Sequence, residues 1–224
     1  GNEVLDGQAA LSFLDIADDG SASIDEDAVA SWVAGLAERH DTVGSERTYT
    51  SPSGAQVTIS GGTYGWEIDQ DAEKSAIIDL LNGDSDEKNQ TRDPAYIQEA
   101  ASHGATDWGS SYIDLDLTGQ HMYLVVDGSV TFESDVVTGL PTPQKETPSG
   151  VYDILDMQSP YTMHGDTDPA TGEPSYVTTC SYFMRMTWTG VAFHDASWQS
   201  SFGGTRYQTN GSHGCINMPP DAAA

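Results

Sequence analysis

Positive charge is scarce in this chain: 8 Lys and Arg stand against 35 Asp and Glu in 224 residues, a formal charge of −27 with histidine neutral. Binding to phosphates needs clustered Lys and Arg, so nucleic acid is excluded as a partner and docking on anionic lipid is disfavoured. Long apolar runs are missing as well. No stretch approaches the ~18–20 residues that cross a bilayer, so the chain reads as soluble. Cysteine occurs twice, too rarely for a disulfide framework, and no internal repeat is visible. The sequence starts without Met or a signal peptide, so any leader is expected to have been removed and membrane attachment to run only through a missing upstream segment.

Against these absences stand 37% hydrophobic residues, 5 Trp and 10 Tyr, enough to build a core despite the acidity. The length suits one large or two small domains. Residues 1–110 carry 22 acids and 5 bases, and residues 111–224 carry 13 and 3, which points to two surfaces of different charge density.

The first half reads as mixed α and β. Ser23-Ile24-Asp25-Glu26 has capping-box spacing, and Val29, Trp32, Val33, Leu36 and Ala37 follow at helical intervals, predicting a helix over 25–40. Thr48 to Ile68 predicts short strands broken at Ser53-Gly54 and Gly61-Gly62. A second helix is predicted over 71–82, stopped by Gly83. The polar stretch 83–94 reads as a loop, and Asp107-Trp108-Gly109-Ser110-Ser111 marks a domain boundary at 110/111. Beyond it the pattern is mostly β: Tyr112–Leu117, His121–Val126 and Val130–Val137 with a hairpin signal at Asp127-Gly128, then Val151–Leu155, a long run Tyr176–Trp188, and Val191–His194.

Chemistry concentrates in Ser212-His213-Gly214-Cys215-Ile216-Asn217, preceded by Phe193-His194-Asp195. If 212–217 is extended, His213, Cys215 and Asn217 share a face. A thiol needs a base or cation nearby to become thiolate at neutral pH, and on this spacing His213 is the candidate base. The Gly214 and Cys215 amides are candidates for an oxyanion hole. A buried structural thiol is the bland alternative for Cys215. A metal site of His194, Asp195, His213 and Cys215 lacks any CxxC or HExxH spacing, so neither metal nor cofactor is expected.

His194, 17 intervening residues and then Ser212-His213-Gly214-Cys215-Ile216-Asn217 resemble the signature of the L,D-transpeptidase catalytic domain, the YkuD family. Phe193-His194-Asp195-Ala196-Ser197-Trp198, Phe202-Gly203-Gly204, Val137-Thr138-Gly139 and Thr147-Pro148-Ser149-Gly150 resemble its Gram-positive two-domain branch. Leu36-Ala37-Glu38-Arg39-His40-Asp41-Thr42 and Gly61-Gly62-Thr63-Tyr64-Gly65-Trp66 resemble the associated domain named for peptidoglycan binding. The implied fold is an α+β domain at 1–110, followed by a mostly β, YkuD-like sandwich or barrel at 111–224. That catalytic domain is expected to be incomplete at its C-terminus, since related domains continue with a helix and a final strand.

The resemblance implies an extracytoplasmic enzyme in the cell envelope of a Gram-positive-type bacterium, acting as a monomer on peptidoglycan stem peptides as acyl donor and acceptor. Cys215 would attack the carbonyl before the terminal D-Ala, with His213 as base, to give a thioester that a neighbouring stem's amine resolves into a 3→3 cross-link. The group orienting His213 stays open between Ser212, His194, Asp195 and a backbone carbonyl. Trp198 and Tyr182 are candidates for lining a donor groove, Arg206 for meeting a stem carboxylate, and Asn217 for fixing the loop. The family also implies acylation by carbapenems. Two rival functions use the same chain: an L,D-carboxypeptidase, if water resolves the thioester, and a silent wall-binding protein.

Two other signals are weaker. Cys180 lies outside the motif and reads as a buried thiol, with a blocking Cys180–Cys215 disulfide as an oxidative alternative. Asp15, Asp19, Gly20 and Glu26 fit positions of a calcium loop, but Ala17 and Ala22 break it. With −17 on residues 1–110, wall binding there is expected to use aromatic surface such as Tyr64 and Trp66 rather than charge.

Overall fold

The computed structural model describes residues 3–83 and 91–224, so most of the loop expected over 83–94 lies outside the described residues. In chain order the elements begin with α1 (Gly7–Leu11), β1 (Leu14–Ile16), β2 (Ala22–Ile24), α2 (Glu26–His40), β3 (Arg47–Thr50), β4 (Gln56–Ile59), β5 (Glu67–Ile68), α3 (Gln70–Asn82) and β6 (Tyr96–Gln98). They continue with β7 (Tyr112–Asp116), β8 (His121–Val126), β9 (Ser129–Asp135), β10 (Asp156–Gln158), β11 (Tyr161–His164), β12 (Val177–Cys180), β13 (Phe183–Arg185) and β14 (Ala192–Asp195). The last three are α4 (Tyr207–Asn210), β15 (Ile216–Met218) and α5 (Pro220–Ala223).

These elements form two compact units. One comprises residues 1–45 and 64–101, the other 46–63 and 102–224. In the first, α2 buries Val29 and Val33 against Phe13 and Ile77 of α3, and Leu36 and Ala37 against Ile68. The helix starts where Asp25 Oδ1 accepts the Asp27 and Ala28 amides, each at 3.0 Å. Ser23, the capping-box candidate, is committed to β2 instead. Asp69 caps α3 in the same way, through Ala72 N at 2.9 Å. Gly83 ends that helix in an extended conformation (φ −76°), so it does not use glycine's left-handed freedom. Two acids of the calcium-like loop have other partners: Asp19 accepts from the Ser21 amide and Glu26 pairs with Lys74 at 2.9 Å.

The second unit takes in the β3–β4 hairpin, although a linear boundary at 110/111 would assign it to the first half. Buried pairing explains the grouping. Arg47 Nη2 donates to Asp107 Oδ2 at 2.8 Å with both side chains buried, and Tyr49 Oη donates to Asp114 Oδ2 at 2.8 Å. Further along, Gly62 bridges Val151 backbone to backbone, so closely that a Cβ on Gly62 (φ +87°) would overlap the Val151 carbonyl. Of the strand expected over Val151–Leu155, Val151 forms an isolated bridge and Leu155 N donates to Arg185 O at 2.8 Å, and regular pairing starts at Asp156.

The β7–β8–β9 meander turns at Asp127-Gly128, whose φ values of +48° and +76° suit a right-twisted hairpin. A four-stranded sheet in the order β10-β13-β14-β15 lies against it, with β14 and β15 parallel and the other pairs antiparallel. Met122 and Val136 from the meander side meet Phe193, Ile216 and Met218 from the sheet, giving a mostly β sandwich; among the described residues no sheet closes into a barrel. The long strand expected over Tyr176–Trp188 divides into β12 and β13. Between them the Ser181 and Tyr182 amides leave the ladder and donate to Asp195 Oδ1 at 2.7 and 2.8 Å.

Candidate active site

Residues 212–215 are not a strand: Ser212 makes an isolated parallel bridge with Gly139, and regular pairing begins at Ile216. Gly214 sits at φ +120°, a conformation that residues with a Cβ rarely adopt, and it breaks the period-two alternation between 213 and 215. Backbone and hydroxyl contacts hold the loop in this shape. Ser212 N donates to Thr138 O at 3.0 Å, and Ser212 Oγ donates to Cys215 O at 2.6 Å while accepting the Gly214 amide at 3.0 Å. Thr147 Oγ1 accepts from Gly139 N at 2.9 Å and donates to Gly214 O at 2.7 Å, tying the 139–147 loop to the motif. Thr147 stood in the sequence pattern without a role; its hydroxyl braces the turn that presents Cys215. Of the two expected oxyanion donors, the Gly214 amide is engaged by Ser212, which leaves Cys215 N as the better placed.

Cys215 is partly buried at the entry to β15. Its thiol donates to Gly190 O at 3.6 Å, and the Ala192 amide points toward its sulfur. Burial pushes the thiol pKa above its ordinary value, opposed by the Ala192 amide and by the charge of Arg185. A thiol in this setting rests protonated and needs a base to react.

The two histidines differ sharply. His213 is exposed, its ring contact is with Tyr176 (centroids 6.0 Å apart), and among the described residues no hydrogen bond joins it to Cys215. The extended chain assumed for 212–217 is not present, since Gly214 turns the backbone between His213 and Cys215. His194 is 2% exposed and lies on β14 in register with Asn217 of the parallel neighbour β15. Cys215, two residues before Asn217, therefore comes to the His194 side of the sheet. Nδ1 of His194 lies 3.0 Å from Asp195 O, and since a carbonyl only accepts, Nδ1 carries the proton and Nε2 keeps a free lone pair. Burial lowers the His194 pKa, so the ring is neutral at neutral pH. Phe183 stacks on it at 6.4 Å and 11°, and Trp198 lies 5.8 Å away.

The other sequence candidates divide. Asp195 turns its carboxylate to the Ser181 and Tyr182 amides and contributes its carbonyl to His194. Asn217 is 2% exposed and pairs through its backbone with Val137. Tyr182 lines a cavity of about 310 Å³ with Met157, Phe183 and Met184, and Cys215 is not among its walls. Arg206 donates to Gln199 at 3.4 Å as a loop brace. Cys180 is 1% exposed and its thiol donates to Tyr161 O at 3.5 Å. Both cysteines are free. Among the described residues no group of three or more His, Cys, Asp or Glu is placed to hold a metal ion. Arg185, near the thiol, was visible in the sequence only as one of three bases after residue 110.

Known proteins resemble this chain in sequence and in fold. Residues 110–224 match the family model described as the L,D-transpeptidase catalytic domain. The chain belongs to the L,D-transpeptidase (YkuD) family. Residues 8–90 match a second model, described as "Putative peptidoglycan binding domain". L,D-transpeptidase 1 of Mycobacterium tuberculosis is 32% identical over 102 residues, covering 43% of this chain and 39% of that protein. The solved Ldtfm-avibactam carbamoyl enzyme is 33% identical and superposes with a TM-score of 0.76 over 95% of this chain and 79% of its own. A cysteine-to-serine mutant of Enterococcus faecium L,D-transpeptidase gives 32% and 0.74 over 95% and 81%. These two models and this fold associate the chain with the cell wall. Among the described residues no helix is long and apolar enough to cross a membrane.

Proposed function

We propose that this L,D-transpeptidase-family chain forms 3→3 peptidoglycan cross-links through a thioester on Cys215, with His194 as the general base. The observation that carries this reading is the pairing of a protonated, partly buried thiol with a neutral imidazole on the same side of the β14–β15 pair, its Nδ1–H held by Asp195 O. His194 Nε2 takes the thiol proton as Sγ attacks the carbonyl that precedes the terminal D-Ala of a stem. The C–N bond breaks, the leaving amine takes the proton from His194, and D-Ala departs from a thioester. An acceptor amine then attacks the thioester, gives its proton through His194 to the departing sulfur, and leaves a new amide with Cys215 restored. The Cys215 amide is the donor available to the oxyanion. Gly214 could add a second only by leaving Ser212.

That a similar solved structure is an avibactam carbamoyl enzyme supports a nucleophile in this fold that takes up a carbonyl group, and the same reading extends to carbapenems. Residues 1–110 are proposed to supply wall binding and residues 111–224 the chemistry, at the extracytoplasmic face of the envelope, on stem peptides.

Incubation with a tetrapeptide stem, followed by mass detection of free D-Ala and of cross-linked dimer, tests the proposal. Both products are expected. D-Ala without dimer identifies a carboxypeptidase, and neither product identifies a silent wall-binding protein.

A further inference from the structure

The sheet that carries the site places a charge in line with the nucleophile. Register sets Asp156 of β10 opposite Arg185 of β13, and Arg185 opposite Ala192 of β14. Phe193 is level with Ile216 in the parallel pair, so one step back along both strands brings Ala192 beside Cys215. The result is a row across one face of the sheet: Asp156, Arg185, Ala192, Cys215. Its neighbour is the row Gln158, Phe183, His194, Asn217. Ala192, with no exposed surface, stands between Arg185 and Cys215 in the first row.

Arg185 is held firmly. Nε donates to Asp156 Oδ2 at 2.8 Å and Nη2 to Tyr161 Oη at 3.3 Å, while Cζ stands 5.2 Å from the Phe183 ring centroid and 5.7 Å from that of Tyr161. Its side chain is 16% exposed, so a charge there is poorly screened. The chain has 8 bases against 35 acids.

We propose that Arg185 is a positioning residue for the nucleophile: its guanidinium, clamped by Asp156 and Tyr161, sets how readily Cys215 gives up its proton. The inference rests on Cys215 being the reactive thiol. Other titratable groups surround the sulfur. Tyr176 and Cys180 approach from β12 and the residue before it, His194 and Asp195 from β14, and His213 from the motif loop, with Asp166 beyond Tyr176. Lys145 and Glu146 belong to the loop whose backbone passes Gly214. Arg185 is the cation whose charge opposes the effect of burial on the thiol.

The test is the pH dependence of Cys215 alkylation by iodoacetamide in the full chain, with the two cysteines resolved by peptide mass. Arg185→Gln is expected to move the midpoint up by about one unit, roughly tenfold less thiolate below both midpoints. Arg185→Lys restores most of the effect. Asp156→Asn releases the guanidinium from its counter-charge and moves the midpoint down. A folded Arg185→Gln protein with an unmoved midpoint overturns the proposal, as does an upward shift in Asp156→Asn, which would mark the clamp as structural. If Arg185→Gln does not fold, the Lys and Asn variants decide. A failure of the nucleophile assignment is read separately, as D-Ala release that survives Cys215→Ala.

Discussion

His194→Gln is expected to lower the rate of D-Ala release by about 10²–10⁴-fold, the range typical of losing a general base, whereas His213→Gln is expected to cost less than about tenfold on the same scale. The difference follows from the setting of each ring. His194 is stacked on Phe183, hydrogen-bonded by Asp195 O at 3.0 Å and carried on the strand beside β15; His213 is exposed beyond the Gly214 turn. A glutamine amide in place of the buried ring can still donate to the Asp195 carbonyl but cannot take up a proton. A pH profile gives a second readout. Burial lowers the His194 pKa, so the imidazole stays neutral and able to accept a proton down to a pH below the ordinary histidine value, and activity falls as it protonates. The acid limb of kcat/KM therefore lies on the low side of an ordinary imidazole and disappears in the residual activity of His194→Gln. Equal losses in the two variants would return the role to His213.

Asp107→Ala is expected to destabilise the second unit by about 3–5 kcal/mol, the cost of removing one partner from a buried ion pair. Arg47 and Asp107 are 3% and 0% exposed at the side chain and meet at 2.8 Å, so a guanidinium that loses this carboxylate cannot recover water without opening the structure. Urea unfolding followed by tryptophan fluorescence checks the value, with Trp108 beside Tyr49 at 5.1 Å as a local reporter. Glu26→Ala, which removes an exposed partner from Lys74, is the control and is expected to leave the midpoint nearly unchanged. A loss at Asp107 no larger than at Glu26 would show that the pair does not anchor the β3–β4 hairpin.

Local signals were legible where local physics decides. The apolar stripe of α2 and the Asp127-Gly128 hairpin follow from residues within a few positions of one another, whereas the cap of α2 fell to Asp25 rather than to Ser23, and the Asp69 cap was not foreseen. The motif itself was legible, as were the residues around it. What sequence spacing could not supply was the path of the backbone through 212–215. Alternation assumes an extended chain, and Gly214 with its bonds through Ser212 and Thr147 overrides it; His213 is exposed there, and the proposed base is His194 instead. Tertiary bonds likewise decide the other departures. Asp195 breaks the run Tyr176–Trp188 from 14 positions away, and Arg47 joins Asp107 across 60. Arg185 had no signal beyond its rarity; only strand register aligns it with Cys215.

The acidity changes meaning in this setting. A charge of −27 leaves few cations anywhere on the chain. It also makes each cation informative, since Arg185, held against the Tyr161 and Phe183 rings in the strand row of Cys215, stands against the prevailing field of the protein.

The central claim is a covalent acyl-enzyme on Cys215, and intact-protein mass after mixing the full chain with a tetrapeptide stem, without added acceptor, tests it most directly. The account predicts an adduct equal to the stem less D-Ala, mapped to the peptide containing Cys215 and absent from Cys215→Ala, with D-Ala release lost in that variant. An adduct on another residue, or D-Ala release that persists in Cys215→Ala, would contradict it.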